Sequence, residues 1–314
     1  MKHLRKGIRD YLALRRSLGF KLVKHEARLK EFASFLERKG RAHITTQLAL
    51  EWATLPENQQ PCQWTARLTT VRGFAQYWSG IDAVTEVPPL GLLTYRPRRA
   101  RPYLYSDQEI QQLLEAAKTR PSCDPLRPWT YHCLFGLLAV TGLRLSEALN
   151  LRLGDIDWRE NLLTIRGAKF GKSRLVPLHA STCKVLADYA KRRDGRFGAH
   201  TDGPFLVNKN GNQLDKGEVH RAFYTLSRQI GLRGVDDSRG PRLHDFRHRF
   251  AVQTLLRWYR NGEDPKRRLP ILSTYLGHAH VTDTYWYLTG TPELLRAAGE
   301  RLEKRWEGLN AGLR

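Results

Sequence analysis

The sequence predicts a mainly α-helical chain in two domains, with a small antiparallel β-sheet in the second. Three observations carry that prediction. Apolar residues recur at helical spacing in segment after segment. A stretch with four prolines and four arginines, "VPPLGLLTYRPRRARP", interrupts the helical pattern after residue 86. The region "DIDWRENLLTIRGAKFGKSRLVPL" alternates short β-prone runs with turn residues. A length of 314 residues fits two domains of roughly 150 residues each.

Residues 1–95 form the first predicted domain, and it reads as helices. In "HEARLKEFASFLERKG", Leu29, Phe32, Phe35 and Leu36 follow helical spacing, and Gly40 offers a stop. In "WTARLTTVRGFAQYWSG", Trp64, Leu68, Val71, Ala75 and Trp78 make one stripe. Arg67 and Arg72 lie off that stripe, where they could face phosphates or simply solvent. Residues 96–102 are a basic linker with Arg98, Arg99 and Arg101, an extended run able to follow a nucleic-acid backbone.

The second domain spans 103–314. It opens with a capping box from Ser106 to Glu109. "WTYHCLFGLLAV" is apolar nearly all round and predicts a buried central helix. Thr141-Gly142 breaks it, and "LSEALNL" starts a short helix. The β-prone region predicts two or three strands, with turns at Arg159–Asn161 and Ala168–Gly171. "STCKVLADYAKRR" reads as a helix, and "PFLVNKNGNQL" as a short strand with an Asn210-Gly211 turn. "EVHRAFYTLSRQIGL", "HDFRHRFAVQTLLRWYR" and "LPILSTYLGH" are further helices, with "DPKRR" as a basic loop before the last. The final segment has Thr291 as a cap and Pro292 in its first turn. Its stripe of Leu295, Ala298, Leu302, Trp306 and Leu309 packs on its own domain or docks on a neighbouring subunit.

The formal net charge is +22, and both parts share it: +10 in residues 1–100 and +12 in the remainder. A polyanionic partner is the first expectation, and double-stranded DNA fits it. The four cysteines, Cys62, Cys123, Cys133 and Cys183, form no CxxC pair, so neither a disulfide framework nor a zinc ribbon is indicated. The N-terminus has no sustained apolar core, and no stretch is apolar enough to span a membrane. A cytoplasmic, DNA-associated protein is expected.

The residues that carry chemistry are Arg144 in "TGLRLSEAL", His244 and Arg247 in "RLHDFRH", His278 in "LGH", and Tyr287 nine residues later. Oxygen attack on a phosphodiester gathers negative charge on the non-bridging oxygens. No carboxylate cluster suited to a metal is visible, so cationic side chains must neutralise that charge. Arg144 and Arg247 suit the task, because guanidinium stays charged and binds two oxygens in a fixed fork. His244 and His278 can donate hydrogen bonds or take a proton. Tyr287 is the candidate nucleophile, and Tyr285 its rival. Glu147 either orients Arg144 or His244 or offsets a helix dipole, and Asp245 has the same two readings. A zinc site at His244 and His248 competes, but "HDFRH" lacks the glutamate of a zincin motif. No metal and no cofactor are expected.

Four stretches in order, "TGLRLSEALNLRLGDID", "GAKFGKSRLVPL", "LHDFRH" and "LGHAHVTDTYWYL", resemble the tyrosine recombinase (phage integrase) family. They cover about 150 residues of the second domain. The first domain and linker resemble the family's core-binding module more weakly. The tail "DTYWYLTGTPELL" resembles recombinases carried by transposons. The resemblance implies a mixed α/β catalytic domain and a site-specific recombinase. It also implies attachment of tyrosine to a 3′ phosphate, and assembly as a dimer or tetramer on DNA. In the turn of "GAKFGKSRLVPL", Lys169 can protonate the leaving 5′ oxygen. The register against "RLVPL" favours it over Lys172, and Lys172 and Arg174 are read as DNA contacts. The stretch "RWYRNGEDPKRRLPILSTY" departs from the family by its length and basicity, which bears on where His278 falls. A type IB topoisomerase-like strand transferase and a catalytically inactive DNA-binding relative are the alternatives.

Overall fold

The computed structural model describes residues 2–93, 95, 101–167, 173–237, 239–288 and 291–311. The chain divides into two compact units, 1–100 and 101–314.

The first unit holds α1 (Lys2–Ser17), α2 (Val23–Arg38), α3 (Thr46–Thr54) and α4 (Pro61–Trp78). Each helix turns one apolar face inward. Leu4, Ile8 and Leu12 from α1 meet Leu29, Phe32 and Leu36 from α2, with Trp52 from α3 and Leu68, Val71 and Phe74 from α4. The Thr45 hydroxyl caps α3 by accepting from the Leu48 amide at 3.2 Å. One expectation is corrected here. Arg67 is 6% exposed and belongs to the core. Its guanidinium forks onto Glu31 at 2.8 and 3.2 Å and lies 3.8 Å over the Trp52 ring, so it is not free to meet a phosphate. Arg72 is half-buried and donates to the Pro88 carbonyl. Arg101 is exposed, while Arg98 and Arg99 lie outside the described residues.

The second unit contains α5 (Asp107–Lys118), α6 (Arg127–Thr141), α7 (Leu145–Leu149) and the strands β1 (Ile156–Asp157), β2 (Leu162–Ile165) and β3 (Arg174–Pro177). Then follow α8 (Ala180–Phe197), α9 (Lys216–Gln229), α10 (Leu243–Arg260), α11 (Pro265–Leu276), α12 (Thr282–Tyr285) and α13 (Pro292–Ala311). The Ser106–Glu109 capping box starts α5. The apolar α6 is buried on most of its surface and forms the centre of the main core. The strands form an antiparallel sheet in the order β1-β2-β3, with Leu163 opposite Val176. The first expected turn is present: the Asp157 carboxylate accepts from the Arg159 and Glu160 amides, and Asn161 has φ +54°. The second, Ala168–Gly171, lies outside the described residues.

Two local expectations change, and one choice left open narrows. "PFLVNKNGNQL" makes no regular strand, only isolated bridges from Pro204 to Arg152 and from Val207 to Gln213, and the Asn208 side chain bonds the Asn210 and Asn212 amides in the turn. "DPKRR" is not a loop. Asp264 caps α11, and Pro265 sits in its first turn, where a missing amide costs nothing. Three residues of the α13 stripe, Leu295, Leu302 and Trp306, are exposed, while Ala298 is half-buried. The helix anchors instead through buried Leu294, half-buried Ala297 and the Arg301 bond to the Glu263 carbonyl at 2.7 Å. No helix among the described residues is long and apolar enough to cross a membrane.

Candidate active site

Two helices end on glycines in the left-handed region, and the candidate site grows from those two ends. Gly142 (φ +62°) closes α6, and Gly277 (φ +68°) closes α11. A side chain at either would collide: a Cβ at Gly142 would lie 2.7 Å from the Phe250 ring, and one at Gly277 2.8 Å from the Arg174 guanidinium. The backbone turns tightly at both points. Arg144 emerges two residues after the first glycine and His278 one residue after the second.

The carbonyls at these helix ends carry partial negative charge, and the two arginines lie on them. Arg247 projects from α10, is 1% exposed, and donates to the Gly142 carbonyl at 3.0 Å and the Leu276 carbonyl at 2.6 Å. Arg144 donates to the Gly277 carbonyl at 3.1 Å. Burial lowers the pKa of Arg247 below the usual arginine range, the hydrogen-bonded Tyr287 side chain opposes that, and Arg144 adds to it. Two guanidinium groups therefore share a small region with little carboxylate between them.

Glu147 supplies that carboxylate. It lies on α7, is buried, and fills both roles read from the sequence. One oxygen accepts the Arg144 backbone amide at 2.9 Å, and the other accepts the Arg144 guanidinium at 2.8 Å. A third group also reaches it. Arg174, expected to contact DNA, points inward from β3 and forks onto Glu147 at 3.1 and 2.9 Å, with its side chain 8% exposed. Burial alone would raise the Glu147 pKa, but the Arg174 bonds and the Arg144 amide hold it down at about 2. Asp245 takes only the capping role, accepting from the Arg242 backbone amide and side chain at the start of α10.

Tyr287 follows α12 and is 4% exposed. Its ring stacks against His278 at 5.8 Å between centroids and leans on His248 at 4.9 Å. Tyr285, the rival, is half exposed. The His278 ring bonds the buried Thr284 hydroxyl at 2.7 Å. Burial, with Arg247 and Arg144 nearby, pushes the His278 pKa down to about 4. His244 is open to solvent on the first turn of α10. Its pKa is also lowered, by the surrounding protein and then by Arg247. Despite the unusual basic stretch before it, His278 arrives beside Tyr287.

The structure thus gathers Arg144, Glu147, Arg247, His278 and Tyr287, with His244 three residues from Arg247 on α10. Lys169 and Lys172 lie outside the described residues. His248 and Thr284 were not read from the sequence as parts of this set. His248 follows Arg247 and stands one helical turn from His244, which suggested only a metal. Thr284 stands one turn before Tyr287. Among the described residues no group of side chains is arranged to hold a metal ion.

Comparison with known proteins decides the family. Residues 103–293 match the phage integrase family. The protein named "Putative integrase/recombinase y4rB" of Sinorhizobium fredii is 58% identical over 312 residues, 98% of this chain and 99% of that one. This chain belongs to the phage integrase family. It is a site-specific recombinase of the tyrosine type. Two solved structures share the integrase fold. The Tn1549 transposon integrase in complex with transposon right end DNA has a TM-score of 0.65 at 17% identity, covering 95% of this chain and 99% of that one. A lambda integrase tetramer bound to a Holliday junction has a TM-score of 0.60 at 18% identity, covering 89% and 78%.

Proposed function

We propose that this integrase-family chain cuts and rejoins duplex DNA through a 3′-phosphotyrosine at Tyr287, without metal or ATP. The observation that carries this is the packing of Tyr287 against His278 and Arg247, with Arg144 on the same helix end. The arginines lie on neutral carbonyls. An anionic phosphate oxygen is a stronger acceptor for a guanidinium than a carbonyl is, so an entering phosphodiester draws both groups onto its non-bridging oxygens.

The step balances without a co-reactant. The Tyr287 oxygen attacks phosphorus as the bond to the 5′ oxygen breaks. The phenol proton passes to His244 or His278, both uncharged at neutral pH because their pKa values are lowered. The leaving 5′ oxygen takes a proton from Lys169. A 5′ hydroxyl from the partner strand then reverses the sequence, and the phosphotyrosine keeps the bond energy, so no nucleotide is hydrolysed.

Both units are basic and both contact DNA, with Arg72, Arg98, Arg99, Arg101 and Lys172 as phosphate contacts. Two protomers per duplex, and four for an exchange, assemble on the site. The exposed Leu295, Leu302 and Trp306 of α13 supply an apolar face for that contact. A nicked suicide duplex tests the chemistry. The wild-type protein yields a covalent complex that persists in EDTA, and Tyr287→Phe yields none. Strict metal dependence, or an adduct from Tyr287→Phe, overturns the reading.

A further inference from the structure

We propose that Arg174 is a positioning residue for DNA cleavage: it keeps Glu147 from capturing Arg144 and sets the backbone path that delivers His278. The proposal rests on the reading of Arg144 and His278 as phosphate-binding groups given above.

Three observations meet at this side chain. First, Glu147 is buried and holds its charge between two arginines. Arg174 occupies one position on each carboxylate oxygen, at 3.1 and 2.9 Å. Arg144 therefore meets Glu147 through a single nitrogen at 2.8 Å, and its other terminal nitrogen stays on the Gly277 carbonyl. Without Arg174, a buried carboxylate would have one guanidinium in reach and would draw it into a two-pronged pair. Arg144 would then serve Glu147 rather than a phosphate.

Second, the Arg174 Nε donates to the Tyr275 carbonyl at 2.6 Å. Its guanidinium also fills the space a Cβ on Gly277 would need. The last turn of α11 is thus pinned to β3 immediately before His278. Third, Arg174 opens β3, directly after the segment that carries Lys169 and Lys172. One side chain touches the supports of Arg144 and of His278, and it follows the lysine segment in the chain. Its own side chain is 8% exposed and turned inward onto Glu147 and Tyr275.

The test compares wild type with Arg174→Met, Arg174→Lys, Glu147→Gln and the double variant Glu147→Gln/Arg174→Met. Two quantities are read: single-turnover cleavage of the nicked duplex at saturating protein, and the salt dependence of DNA binding. Arg174→Met should slow cleavage about 100-fold, as misplacement by an ångström does, with the salt slope lower by about 0.9 as Arg144 leaves its phosphate and restored in the double variant. Arg174→Lys should recover part of the rate, because charge returns without the fork. The double variant should lose less than the product of the two single losses, because the part of the Arg174 effect that runs through Glu147 is gone while the lost Tyr275 bond remains. The double variant removes both buried charges and carries the test if Arg174→Met does not fold. A salt slope that stays reduced by about 0.9 in the double variant, where no carboxylate holds Arg144, would reveal a phosphate contact by Arg174 instead. That result, or independent multiplication of the two losses, overturns the proposal. A wild type that forms no adduct refutes the Tyr287 reading, and the role of Arg174 with it. An active wild type with either adverse result refutes only the role of Arg174.

Discussion

Lowering the pH from 7 to 5 should destabilise the second unit through one buried imidazole. His248 is 3% exposed, and its Nε2 has no hydrogen-bond partner among the described residues. Burial is the main reason its pKa falls from 6.5 to about 4. The unfolded chain therefore takes up a proton that the folded chain refuses. Stability from this group is complete above pH 6.5 and is lost as the pH falls toward the folded value. With those two pKa values, linkage gives a loss of about 2 kcal/mol between pH 7 and pH 5. His278 and His244 titrate in the same direction, but they are present in wild type and variant alike. The comparison that isolates His248 is wild type against His248→Gln, each unfolded in urea at both pH values. Wild type should lose about 2 kcal/mol more than the variant over that interval. The first unit, which lacks the substitution, serves as an internal reference. Equal losses in the two proteins would refute the reasoning, because they would mean that His248 can take up its proton without leaving its site beside Tyr287.

Three other perturbations follow from the same contacts. Arg247→Lys keeps the charge but loses the fork that reaches the Gly142 and Leu276 carbonyls. Single-turnover cleavage should fall by roughly 10²–10³, and an unchanged rate would remove Arg247 from the transition state. Gly277→Ala places a side chain at φ +68° against Arg174. The left-handed backbone alone costs about 1 kcal/mol, so the melting temperature of the second unit should drop by at least about 2–4 °C. No change in melting would show that Arg174 yields freely. Arg67→Met breaks the fork to Glu31 and should destabilise the first unit by about 1–3 kcal/mol, with the salt slope of DNA binding unaltered. A slope lower by about 0.9 would restore the phosphate-contact reading.

The sequence showed where helices lie more readily than it showed which way charged side chains point. Stripes such as Leu29–Phe32–Leu36 are legible because burial follows helical period, and the Ser106–Glu109 box because capping is local. The glycines of "TGLR" and "LGH" are legible as helix ends, though nothing local says that the two ends meet. Arg67 and Arg174 misled for one reason. An arginine in a basic chain reads as a phosphate contact, and only the fold shows that Glu31 or Glu147 lies opposite. The α13 stripe was visible, but a stripe does not name its partner. His248 was weighed only as half of a metal pair with His244 and set aside, while in the fold it lies against the Tyr287 ring.

The residue that attaches covalently to DNA can be identified outright. Wild-type protein trapped on a nicked suicide duplex should be digested with protease, and the peptide carrying the nucleotide sequenced by mass spectrometry. The expected product is a 3′-phosphoryl nucleotide on Tyr287, within the peptide that follows His278. Attachment to Tyr285, or to any residue outside that segment, would contradict it.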